Sequence, residues 1–272
     1  MTSFHRSAPA STTNRSPQTQ RDKRLNENIT YIAGLTPLRG LAALLVVLFH
    51  LNWLDVPLQG AAASADFGNY LLSSSTYFIA KGYIAVDLFF ILSGFVLAHV
   101  YWALFRERIC LQDFSNFLGT RIARIYPLHF VMLILFLLIE TAKLVVFSHR
   151  PDLFTSPPFS HPDESEAIIY HLTLTQTFYG SGLSWNAPSW SISCEAIVYL
   201  IFPFLAIGIS RSRWYLLSLA LISCAGLALL YSQHGSLNIV GSWAVVRCFF
   251  EFNLGIVVYH IVDQKKGARY IQ

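Results

Sequence analysis

The sequence predicts an all-α, polytopic transmembrane helix bundle of about six spans with both termini cytoplasmic, on three observations. The 272 residues are 54% hydrophobic and only 12% charged, against roughly 25% charged in a soluble domain. Too little charge is present to clothe a water-exposed surface, which counts against a soluble α/β enzyme and excludes a disordered or collagen-like chain. Six apolar stretches approach the ~20 residues needed to cross a ~30 Å hydrocarbon core. They lack the two-residue alternation of strands, and backbone groups in lipid must satisfy one another, so they are helices. Basic residues also alternate between loops, as the positive-inside rule requires.

Residues 1–33 are Ser, Thr, Pro, Gln and Arg with almost no apolar content, which reads as a disordered basic tail. Arg6, Arg15, Arg21, Lys23 and Arg24 in it favour the cytoplasm, and no apolar stretch follows a short basic start as in a signal peptide. The spans are placed at about 36–55, 82–104, 125–147, 189–209, 214–231 and 240–262. Thr36 as N-cap and Pro37 at the first helical position start the first of them. Arg106, Arg108, Arg121 and Arg124 separate spans two and three; Arg211 and Arg213 follow span four, and Lys265, Lys266 and Arg269 follow span six. The other loops are poor in positive charge, so the formal net charge of +4 reads as membrane orientation before nucleic-acid binding. Cys110, Cys194, Cys224 and Cys248 form no CxxC pattern, and neither a disulfide framework nor a zinc site is suggested.

Within these spans every ionisable residue is a functional candidate, to be weighed against a bland reading. Arg39 and His50 lie on one face of the first span, roughly 16 Å apart along the axis. Arg39 alone could be an interfacial anchor. A histidine in hydrocarbon needs partners, and an imidazole has the right intrinsic pKa to take a proton from a hydroxyl. Asp87, with Gly94 seven residues on, marks a face that meets another helix, and its carboxylate needs a donor: an arginine or the His50 ring. Arg121 and Arg124 share a face in GTRIARIYPLHF and suit phosphate or carboxylate, although topology alone also asks for cytoplasmic arginines. Ser191, Glu195 and Tyr199 repeat every four residues as a polar stripe, while Trp190 reads as an interface-belt residue. Arg247 with Glu251, and Glu140 with Lys143, read as structural pairs one turn apart. His99, His129 and His171 show no metal-site spacing, and no metal is expected.

In order along the chain, LTPLRGLAALLVVLFH, GYIAVDLFFILSGFVLAH, FLGTRIARIYP, APSWSISCEAIVYLIFP and RCFFEFNLG resemble the integral-membrane acyltransferase-3 family, whose members O-acylate bacterial surface carbohydrates. The resemblance touches most of residues 35–255 and makes 34–272 an acyltransferase-3-like domain. It implies transfer of an acyl group, acetyl in the first instance, from acyl-CoA to a hydroxyl of a carbohydrate or glycan-lipid acceptor, in the bacterial cytoplasmic (inner) membrane. His50 and Arg39 match the family's first-helix histidine and arginine, and Asp87, Trp190 and Glu195 occupy its second and fourth motifs. His50, Arg39, Asp87 and Glu195 are thereby implied as catalytic, and the Arg121–Arg124 pair as the acyl-CoA site. Family members carry about ten spans, so the resemblance implies a chain short or incomplete at its C-terminal end. The readings set against acyl transfer are a proton-coupled transporter of an anionic solute and an inactive truncated remnant.

Overall fold

The structure is a computed structural model and describes residues 34–51, 81–153, 157–160, 164–180 and 182–269. The predicted tail and the end of the first span lie outside them. Seven α-helices are described: α1 (Leu35–Leu51), α2 (Ile84–Phe105), α3 (Leu111–His149), the short α4 (Ala167–Leu172), α5 (Trp190–Arg211), α6 (Arg213–His234) and α7 (Ser242–Arg269). Among the described residues, five helices are long and apolar enough to cross a membrane: α2, α3, α5, α6 and α7. α1 is apolar but only 17 residues long as described.

Two local expectations change. α1 starts at Leu35, with Leu38 N–H donating to the Gly34 carbonyl, so Thr36 sits inside the first turn and is not the cap. Pro37 remains in that turn, where its missing N–H leaves no bond unmade. α3 begins at Leu111, well before the predicted span, because the basic approach GTRIAR is itself helical and continuous with the apolar run. Elsewhere the ends are sharp for local reasons. The Ser212 side chain accepts from Trp214 N–H to open α6, and Gly235 at φ 71° closes it in the left-handed conformation that costs glycine least.

α2, α5 and α7 run parallel at the centre, with α3 and α6 outside them. In the apolar windows of the central three, 39–44% of residues are buried, against 11% in α3 and α6. Leu128, Val131, Leu138, Leu221 and Ile222 on the outer pair are correspondingly exposed, as hydrocarbon-facing side chains of a spanning helix are. The tightest contact joins α2 to α7. A Cβ on Gly94 would collide with the Phe252 carbonyl, and one on Gly255 with the Ile91 carbonyl. Small residues of this kind let two helix backbones approach where lipid offers no hydrophobic drive to bring them together. Around the seam, Phe90, Leu97, Cys194, Val198, Phe202, Cys248, Phe252 and Ile256 form the core.

The segment between α3 and α5 is tied down on α3. Tyr126 OH donates to the Leu172 carbonyl at 3.0 Å, and His129 Nε2–H donates to the His171 carbonyl at 2.9 Å. Farther along α3, Glu140 accepts from Phe159 N–H at 3.1 Å while also pairing with Lys143 at 2.6 Å. The expected Glu140–Lys143 pair therefore also anchors the loop. The His129 and His171 rings stack at 5.8 Å, and His171 Nε2 meets Ser184 Oγ at 3.0 Å. Burial, and then the neighbouring His129 ring, lower the His171 pKa from 6.5 to about 4.

Two outcomes follow for stability. Gly255→Ala should destabilise the detergent-solubilised protein by about 1–3 kcal/mol, the usual cost of overpacking, measured as a lowered unfolding midpoint. A neutral His171 favours the folded loop above pH 6.5, and that contribution is lost as pH falls towards about 4. Amide protection across residues 164–180, taken relative to the intrinsic exchange rate at each pH, should therefore fall in that window, and His171→Gln should flatten the pH dependence. An equal slope in both proteins would refute the assignment.

Candidate active site

A cavity of about 520 Å³ opens among α1, α2, α5 and the two loops at one end of the bundle. α1 supplies Val46, Phe49 and His50; the α2 region supplies Tyr83, Val86, Phe89 and Phe90; α5 supplies Trp190, Ser191, Ile192 and Glu195. Leu183, Ala187 and Pro188 ahead of α5, with Asn238 and Val240 ahead of α7, complete the wall. The lining is mainly apolar and aromatic with few polar groups, which is the usual make-up of a small-molecule site.

His50 and Glu195, both expected from the sequence, thus share one cavity. His50 Nδ1–H donates to the Val46 carbonyl one turn back at 2.7 Å, and the ring meets Phe49 edge-on at 5.3 Å. Because a carbonyl can only accept, this bond places the proton of a neutral ring on Nδ1 and the basic lone pair on Nε2. The orienting group is thus a backbone carbonyl and not the Asp87 carboxylate that the sequence offers as a partner.

Glu195 has a second environment on its far side. Tyr199 OH donates to Glu195 Oε2 at 3.0 Å, and Ser93 of α2 also lies within hydrogen-bonding range. The expected stripe on α5 is thereby resolved into a carboxylate with its donor, while Ser93 was missed because nothing in its local pattern distinguishes it. Arg39 of α1 interacts electrostatically with Glu195 and Tyr199 and with Arg121 and Arg124 of α3. Arg39 and Arg124 thus both act on the one Glu195 carboxylate, with Arg121 beside Arg39, an excess of cation that invites an anion. Arg121 is buried against the Tyr101 ring at 4.7 Å, and its Nε has no hydrogen-bond partner. Arg124 is exposed. A buried guanidinium with an unused donor beside an exposed one fits a phosphate-bearing ligand.

Asp87 does not join His50. Its carboxylate meets Arg247 of α7 at 3.2 Å, closer than the 3.5 Å between Arg247 and its one-turn neighbour Glu251. Trp190 also departs from the interface-belt reading: it is buried, and its ring lies 5.2 Å from the Arg247 guanidinium. No trio of His, Cys, Asp and Glu side chains among the described residues converges as a metal site would require.

An acyltransferase domain model matches residues 32–270. The chain is 34% identical to the acyltransferase MdmB of Streptomyces mycarofaciens over 178 residues, which is 64% of this chain and 39% of that protein. It is 28% identical to the putative peptidoglycan O-acetyltransferase YrhL of Bacillus subtilis (strain 168) over 219 residues, 75% of this chain and 29% of that protein. A 56-residue stretch, 21% of this chain and 28% of the relative, is 52% identical to Protein 2 in picA locus of Rhizobium radiobacter. The chain thus spans well under half the length of each of these relatives. No solved structure matches it. With all but the two ends of the chain inside the domain match, and with apolar helices of membrane-crossing length carrying the matched segments, this is a multi-pass membrane protein that belongs to the acyltransferase-3 family.

Proposed function

We propose that this chain carries the acyl-transfer site of a membrane O-acyltransferase, with acyl-CoA as donor and a carbohydrate hydroxyl as acceptor. The observation that carries this reading is the double setting of Glu195: its side chain lines the cavity with His50 and also feels the arginines of α1 and α3. The name of the Bacillus subtilis relative supports acetyl as the group and a glycan as the acceptor. Family membership favours transfer over transport. In the inner-membrane orientation read from the basic loops, the arginine end faces the cytoplasm, where acyl-CoA is found, and the cavity faces outward.

In this mechanism Arg121 and Arg124 hold the CoA phosphates. His50 Nε2 takes the proton of the acceptor hydroxyl as its oxygen attacks the thioester carbonyl carbon. The new C–O bond forms, the C–S bond breaks, and the proton passes to the departing thiolate. Glu195, held by Tyr199, orients the acceptor hydroxyl, while Arg39 adds its charge to the cluster that draws the donor's phosphates. Asp87 contributes through Arg247 and touches neither substrate.

The test uses the detergent-purified chain with acetyl-CoA and soluble peptidoglycan fragments. His50→Ala should lower transfer about 10²- to 10⁴-fold, the range of a lost general base. Arg121→Ala with Arg124→Ala should weaken acetyl-CoA binding in a direct titration. Equal thioester consumption by wild type and His50→Ala would remove His50 from the reaction.

A further inference from the structure

Arg247 has no surface exposure and is among the largest fully buried side chains of the described residues. Neutralising Glu251 would account for a membrane arginine, but the contacts of Arg247 go further. The Asp87 carboxylate lies at 3.2 Å, and the guanidinium packs 5.2 Å from the Trp190 ring and 6.0 Å from Phe90. Its Nη1 donates to the Leu237 and Ile239 carbonyls, the latter at 3.1 Å. Every one of these partners is a cavity wall or adjoins one. Trp190 and Phe90 line the cavity themselves, Asn238 lies between Leu237 and Ile239, and Asp87 follows Val86. One buried cation therefore joins the walls supplied by α2, α5 and the α6–α7 loop.

We propose that Arg247 is the positioning residue of this cavity: its guanidinium fixes the Trp190 ring and the Asn238 loop, the surfaces on which the acceptor lies. Contact with the acceptor rests on the acyl-transfer reading above; the fixing of the walls does not. The planar fork matters as well as the charge. Five N–H donors can serve an ion pair and two carbonyls at once while the flat face packs on an indole. A lysine would keep the charge and lose the fork. A residue that only hid charge would accept that exchange; a positioning residue would not.

The experiment compares Arg247→Lys with wild type in detergent and reads the emission of Trp190, isolated as the difference between each protein and its Trp190→Phe counterpart. Arg247→Lys should stay folded, with Trp190 emission shifted to the red and more readily quenched by acrylamide. The KM for peptidoglycan fragments should rise roughly tenfold, the scale of a lost cation–π contact, with the KM for acetyl-CoA unchanged. If Arg247→Lys does not fold, the double variant Arg247→Gln with Asp87→Asn removes the cross-helix ion pair as a unit, and the same emission change is expected. Unaltered Trp190 emission and quenching in a folded variant would overturn the proposal. Because the emission is read without substrate, it decides the positioning role even where wild type turns nothing over, an outcome that counts against the acyl-transfer reading alone.

Discussion

The close approach of α2 and α7 is the constraint on which the rest is built. Backbone-to-backbone packing at Gly94 and Gly255 sets the two helices side by side and in parallel register. That register brings Asp87, one turn into α2, to Arg247, one turn into α7. An arginine this deep in an apolar bundle is tolerable only with its charge met, here by Asp87 and Glu251, because an unpaired buried charge costs about 3–5 kcal/mol when its partner is removed. Held there, the guanidinium also donates from Nη1 to the loop carbonyls ahead of α7 and packs on the indole at the head of α5. The cavity wall is thus a downstream product of two missing Cβ atoms.

Glu195 links this wall to the other end of the bundle. On the cavity side its neighbours are aromatic and aliphatic; on the other side they are Tyr199, Ser93 and the charges of Arg39 and Arg124 from two helices. A carboxylate in such a place keeps mutually repelling guanidiniums close to one another while leaving them with net positive charge. The same group therefore organises an anion-attracting cluster and contributes an acceptor to the apolar cavity. Opposed environments on either side of one side chain suit a reaction whose two substrates arrive from different directions.

Much of this was legible in the sequence. The helices could be read because hydrocarbon imposes a length and a composition that leave few alternatives, and the charged exceptions within them stood out for the same reason. Arg39, His50 and Glu195 stand out in this way, while for Arg121 and Arg124 topology alone asks for cytoplasmic arginines and only the family resemblance singled them out. What was not legible depends on tertiary placement. Arg247 looked satisfied by Glu251 because helical spacing reveals only neighbours on the same helix, whereas its shorter ion pair crosses to α2. Trp190 looked like a belt residue because tryptophan at a span terminus usually is, and only the seating of its ring on Arg247 distinguishes it. The His129–His171 stack joins residues 42 apart, with neither local spacing nor composition to announce it. Ser93 is a single small hydroxyl in an apolar run, a pattern shared by many serines that do nothing.

The uneven burial of the helices also bears on how the chain can change over evolutionary time. α3 and α6 present most of their apolar windows outward, with 11% of residues buried. A surface that meets only fluid hydrocarbon must be greasy but need have no particular outline, so Leu, Ile, Val and Phe are nearly interchangeable along it. The seam between α2 and α7 allows no such freedom, since any added atom meets a carbonyl. Substitutions should therefore accumulate on the outer helices long before they reach the centre. Two descendants could share little of their lipid-facing sequence and still enclose the same chamber.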